Sequence, residues 1–121
     1  MQHAAKAYGN VAKETSSTRE LEASLLLKAA ARFQAIRDSW DRRKTELDDA
    51  LLFNRKLWTI FLASVTRDDN PLPIEVRQNV NNLGLFVFNR TLRLSSDPQP
   101  EALGCLIDIN REIATGLLGR G

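Results

Sequence analysis

The stretch Thr45-Glu-Leu-Asp-Asp-Ala-Leu-Leu-Phe-Asn-Arg-Lys-Leu-Trp-Thr-Ile-Phe-Leu-Ala-Ser-Val65 decides the fold. Leu47, Leu51, Asn54, Trp58, Phe61 and Val65 recur at steps of three and four, which places them along one side of a helix. Phe53, Leu57 and Ile60 widen that stripe on one flank. So broad an apolar face belongs to a helix buried against several neighbours. Thr45 stands three residues before Asp48, so a capping-box start at Thr45 is expected. Trp58 is the expected core anchor, mutually buried with Leu51, Phe61, Phe33 and Leu106. One polar residue, Asn54, interrupts the stripe near its middle.

Upstream, a long helix is expected to begin near Ser17, which has capping-box spacing to Glu20. Leu21, Leu25, Leu26, Ala29, Phe33, Ile36 and Trp40 form its apolar stripe, with Glu22 inside it. A carboxylate one turn from a helix start gains from the macrodipole, which makes partial burial tolerable. The cations Arg42-Arg43-Lys44 mark the expected end of this helix. Residues 1–17 read as an arm or a short helix weakened by Gly9, with Tyr8 as its anchor if it docks, and residues 18–121 as a single helical domain.

Downstream, Asp68-Asp-Asn-Pro-Leu-Pro73 ends the central helix. Pro73 suits the first turn of a third helix running to about Leu94. Val76, Val80, Leu83, Val87 and Leu94 form one stripe on it; Leu85, Phe88 and Leu92 form a second, well round the cylinder. After Ser95-Ser-Asp-Pro-Gln-Pro100, Asp97 and Pro98 read as a cap and first-turn pair for the last helix. That helix carries Leu103, Leu106, Ile107, Asn110, Ile113, Ala114 and Leu117. Strand-like alternation is scarce, so the expected fold is all-α, a compact bundle of about four helices with a short N-terminal arm.

Composition narrows the function classes. At 121 residues the chain is one domain by length and large enough for a core without staples. A net charge of +2 and a pI near 9.0 are mildly basic, far short of a charge-driven nucleic-acid binder. The single cysteine, Cys105, excludes an internal disulfide and fits a reducing compartment. No run of about 18 apolar residues and no signal peptide are present, so a cytoplasmic protein without membrane insertion is expected.

The inventory for catalysis is poor. His3 is the only histidine, no His, Cys or carboxylate set has metal-ligand spacing, and no glycine loop could cradle a phosphate. No catalytic, metal-binding or cofactor-binding residue is nominated, and no cofactor or enzymatic activity is expected. Arg37, Arg42, Arg43 and Lys44 around Trp40 are the one set suited to RNA. Asp38 and Asp41 interleave with them, and Trp40 continues the apolar stripe, so a solvated helix end explains them better. The second stripe of the third helix, Leu85, Phe88 and Leu92, is either core or a face left for a partner helix.

Asn54 and Asn110 each sit near the middle of an apolar stripe. A buried amide must be hydrogen-bonded, so the two are expected to meet between helices in a polar layer, joined by Glu22 and Arg19 from the first helix. Such a layer sets register, as a core Asn does in coiled coils.

Four blocks in order, Arg19-Glu-Leu-Glu-Ala23, Ala50 through Asn54-Arg-Lys-Leu-Trp58, Leu72-Pro73 with Arg77, and Leu106-Ile-Asp-Ile-Asn-Arg-Glu-Ile-Ala114, resemble the flagellar biosynthesis regulator FlaF. The resemblance runs from about Tyr8 to Leu118. It implies a small cytoplasmic bacterial protein that promotes flagellin synthesis and export, in opposition to the regulator FlbT. It further implies that newly made flagellin is bound as by a secretion chaperone. The alternative is a post-transcriptional regulator that contacts flagellin mRNA directly or through FlbT.

Overall fold

The computed structural model describes the backbone of residues 2–119 and the side chains of residues 18–119. Five α-helices follow one another: α1 (Gln2–Asp38), the single turn α2 (Trp40–Arg43), α3 (Leu47–Val65), α4 (Ile74–Ser96) and α5 (Gly104–Leu117). Short 3-10 turns at Lys44–Glu46 and Pro100–Leu103 lead into α3 and α5. The expected all-α bundle is the fold, and no strand occurs among the described residues. Packing of α1 against α5 is the most extensive; α3 lies against both α1 and α4, and α4 barely touches α5.

The central stripe forms the core. Leu47, Leu51, Asn54, Trp58, Phe61 and Val65 are all buried, and so are Phe33 and Leu106 opposite them. Trp58 is 0% exposed and meets Phe61 edge to face, with ring centroids 5.6 Å apart. The flank is narrower than its composition implies. Leu57 is buried and Phe53 half-buried, but Ile60 is 67% exposed. Leu21 at the start of the α1 stripe is likewise exposed; Ala23 and Ala30 take core positions, where small side chains let helices approach closely.

Three expected helix starts move. The first helix does not begin at Ser17: α1 is continuous from Gln2. Ser and Glu three residues apart occur as readily inside a helix as at its cap, and only Gly9, at a cost of about 1 kcal/mol, opposes helix upstream. The docking of Tyr8 lies outside the residues whose side chains are described. Thr45 is not a cap, because it stands inside the 3-10 turn; α3 starts at Leu47, and Glu46 before it makes no side-chain cap bond. Asp48 and Asp49 in the first turn complement the helix dipole instead. Asp97 and Pro98 do not open the last helix. Pro100 starts the 3-10 turn before α5, after an extended Gln99, while the Asp97 carboxylate accepts from Gln99 Nε2 at 3.1 Å.

The remaining boundaries follow local chemistry. The first helix breaks at Ser39, short of the cations, and α2 makes the elbow. Arg43 grips Glu46 with two bonds, Nε to Oε2 at 2.8 Å and Nη2 to Oε1 at 3.0 Å, which pins the turn into α3. That pairing holds the Glu46 carboxyl below its ordinary value, the hydrogen bond from Arg43 being the larger cause. Pro73 is extended (ψ 147°) and caps α4 from outside its first turn.

Candidate functional site

Trp58 dictates the polarity of the buried layer. Its indole nitrogen can only donate, and it donates to Asn110 Oδ1 at 2.9 Å. The Asn110 amide nitrogen must then face Asn54, and it donates to Asn54 Oδ1 at 2.8 Å. This leaves Asn54 Nδ2 at the end of the chain, buried without a partner. α3 and α5 are thus joined through Trp58, Asn110 and Asn54, all 0% exposed. Their mutual hydrogen bonds are interhelical and involve no solvent.

Arg19 and Glu22 do not join this layer. They stand at one end of the bundle, in a pocket with Phe61, Ser64, Asn70, Leu72 and Leu117. Ser64 is about 15 Å along α3 from Asn54 at 1.5 Å per residue, too far for a side-chain bond. The helical phase of Glu22 points inward, but its level is the rim rather than the middle. Burial pushes the Glu22 carboxyl above its ordinary value, and the nearby positive charge of Arg19 opposes this only partly.

The loop beside that pocket is held by polar side chains. Asn70 Oδ1 accepts from the Leu72 amide at 3.0 Å, and Asn70 Nδ2 donates to the Ser64 carbonyl at 3.0 Å. Arg77, reaching back from α4, donates from Nε to the Val65 carbonyl at 2.6 Å and from Nη2 to the Arg67 carbonyl at 2.8 Å. A cation is thereby placed at the C-terminal end of α3, where the dipole favours it. The clamp fixes how α4 leaves α3 and, with it, the position of Leu72, Val76 and Val80. These three form a wall of an apolar groove of about 450 Å³, closed on the other side by Phe61, Ile113, Gly116 and Leu117. Sequence reading did not single out Asn70 or this groove. Asn before Pro-Leu-Pro is an available turn signal, but which carbonyls Arg77 reaches depends on tertiary approach.

Of the α4 face nominated as a partner site, Leu85 and Leu92 are 63% and 65% exposed. Phe88 differs: it is half-buried and packs against the core. Ile74 and Phe86 on the same helix are also exposed, and Arg90 lies over the Phe86 ring at 5.3 Å. Gly84 allows the close approach behind this face. A Cβ there would come within 2.5 Å of Leu62 Cδ1, so α4 settles onto α3 where it has no side chain. At the elbow, Trp40 packs partly against the core, Arg43 is paired with Glu46, and Arg37 lies 3.6 Å from Asp38. Arg42 and Lys44 beside them are exposed, so two of the four cations nominated for phosphate are paired with acids and two are open to solvent.

The family model for the flagellar protein FlaF matches residues 4–117. The chain belongs to the FlaF family. No curated protein and no solved structure matches it. Membership of the FlaF family places the chain in flagellar biogenesis. The four blocks that carry the resemblance now have places in the FlaF fold. The blocks around Asn54 to Trp58 and Leu106 to Ala114 supply the two sides of the buried hydrogen-bond chain. Leu72-Pro73 with Arg77 builds the clamp, and from the block Arg19 to Ala23 the side chains of Arg19 and Glu22 line the rim pocket. Among the described residues, no group of His, Cys, Asp or Glu could hold a metal ion, and no helix is long and apolar enough to cross a membrane.

Proposed function

We propose that this FlaF-family chain is a non-enzymatic, cytoplasmic regulator that promotes flagellin synthesis and export by binding newly made flagellin as a secretion chaperone. The supporting observation is the apolar groove of about 450 Å³ between α4 and α5, walled by Leu72, Val76 and Val80 against Ile113 and Leu117. An open apolar groove with polar side chains at its edge marks an interaction surface more often than exposed residues scattered singly. An amphipathic segment of an unassembled client is the kind of partner such a surface fits, in the helix-in-groove manner. The regulatory opposition to FlbT then follows from occupancy of the client, without RNA contact by this chain.

The test is co-expression with flagellin followed by affinity purification at rising salt. A flagellin complex held by apolar burial survives as salt rises. RNA held through phosphates is lost steeply over the same range. Recovery of flagellin mRNA in place of flagellin, dissociating with salt, would replace this reading with the RNA-binding one.

A further inference from the structure

The groove and the rim pocket adjoin one another across Phe61, Leu72 and Leu117, which line both, and together they make up a trough of two parts. Its origin is the packing of the bundle. α4 rests on α3 and barely meets α5, so the walls contributed by Val76 and Val80 on one side and Ile113 and Leu117 on the other stay apart. Val76 is 41% exposed although it sits on the wall. The trough changes character along its length. The larger part, about 450 Å³, is apolar apart from Glu112 at its edge. The smaller part, about 220 Å³, holds Glu22 and Arg19.

Glu22 is the feature that selects an occupant. Among the described residues no donor hydrogen-bonds to it, and Asn70, its polar neighbour in the pocket, is committed at both ends to Leu72 and Ser64. A half-buried carboxylate left in this state favours a cation brought to it. With Glu112 on the edge, the described lining of the trough offers two acids against one arginine. We propose that the trough holds an amphipathic helix of the client, its apolar side chains filling the groove between α4 and α5 and a lysine or arginine beside them reaching Glu22. This rests on the flagellin-binding reading above and names the surface and the chemistry of the bound segment. The outward strip of α4 in a second copy is a poorer occupant. Around Leu85 and Leu92 that face carries the amides Gln78, Asn81 and Asn89, and its nearest arginines, Arg90 and Arg93, stand about 80° or more round the helix from both leucines.

The test uses purified full-length chain and flagellin in calorimetric titration, with three variants. Gly116→Phe is chosen to plug the groove, because Gly116 lines it and a Cβ there meets nothing within 4 Å. It should weaken flagellin binding by about tenfold or more, as loss of a central anchor does. Glu22→Lys should weaken it further with added salt reducing the difference, since like charge then faces the client's cation. Leu85→Asp, on the outward strip, should bind as the parent does. Circular dichroism melts establish that each variant is folded, and Val76→Asp at the rim serves if Gly116→Phe is not. Unchanged binding by the plugged and charge-reversed variants would overturn the proposal while leaving flagellin binding intact, as would loss of binding in Leu85→Asp alone. A parent chain that sediments as a dimer, dissociated by Gly116→Phe, would assign the trough to a second copy and overturn it too. Failure of the parent to bind flagellin at all would refute the chaperone reading itself.

Discussion

Replacing Asn110 by leucine should be far more damaging than replacing Asn54, although the two amides are equally buried and bonded to each other. Leucine branches at Cγ like asparagine, so the comparison isolates hydrogen bonding. In the parent, one buried polar group lacks a partner, Asn54 Nδ2. Asn110→Leu leaves that group unpaired and strands two more, Trp58 Nε1 and Asn54 Oδ1. At about 1–3 kcal/mol for each stranded group, the cost is about 2–6 kcal/mol, a large part of the stability of a small domain. Asn54→Leu removes the orphan and creates another, Asn110 Nδ2, so the number is unchanged and the expected effect is within about 1 kcal/mol. The double variant strands only Trp58 Nε1 and should recover most of the loss caused by Asn110→Leu. Urea unfolding of the four proteins gives the cycle directly. Equal damage from the two single changes, or a double variant worse than Asn110→Leu, would refute the direction of the hydrogen-bond chain.

Other expectations follow from the same contacts. Trp58→Ala removes a wholly buried indole and should cost about 3–5 kcal/mol in urea unfolding; a fully folded variant that had lost only client binding would instead make Trp58 a surface anchor. Arg77→Ala frees the Val65 carbonyl, leaves the Arg67 carbonyl with the Asn70 amide alone, and should cost about 1–3 kcal/mol, with faster amide exchange confined to the end of α3 and the loop after it. Glu22 has a raised pKa in the folded state, so the proton is bound more tightly there than in the unfolded chain. Its linked stability is present at acid pH, below the ordinary glutamate value of about 4.3, and is lost as pH rises through the folded value. Glu22→Gln should therefore raise the melting temperature at neutral pH and lose that advantage in acid, which a pH series of melts measures. Phe88→Asp should lower the melting temperature sharply because Phe88 packs on the core, whereas Leu85→Asp should leave it nearly unchanged.

How far the structure was legible depends on which residues carry information locally. The six-residue stripe from Leu47 to Val65 could be read because helical period and apolar side chains coincide, and burial follows with little help from topology. The meeting of Asn54 and Asn110 was legible for a different reason: a buried amide demands a partner, and few polar groups in the apolar stripes could supply one. The same argument misplaced Glu22 and Arg19, because helical phase states which side a residue faces and not its level along the bundle. Level is set by how the helices slide past one another. Here the elbow between α1 and α3 bears on it, with the single turn α2 and the two bonds from Arg43 to Glu46 fixing where α3 starts beside α1. The helix starts at Ser17 and Thr45 failed on the ambiguity of a three-residue spacing that caps and helix interiors share. The trough was illegible for the deepest reason. None of its walls is unusual on its own element; Val76, Val80, Ile113 and Leu117 read as ordinary members of apolar stripes. They form a trough because α4 is clamped to α3 and kept from α5. A missing contact between two amphipathic helices leaves no mark in either helix's period, yet that gap is where an incoming third helix would find apolar walls and a half-buried acid together.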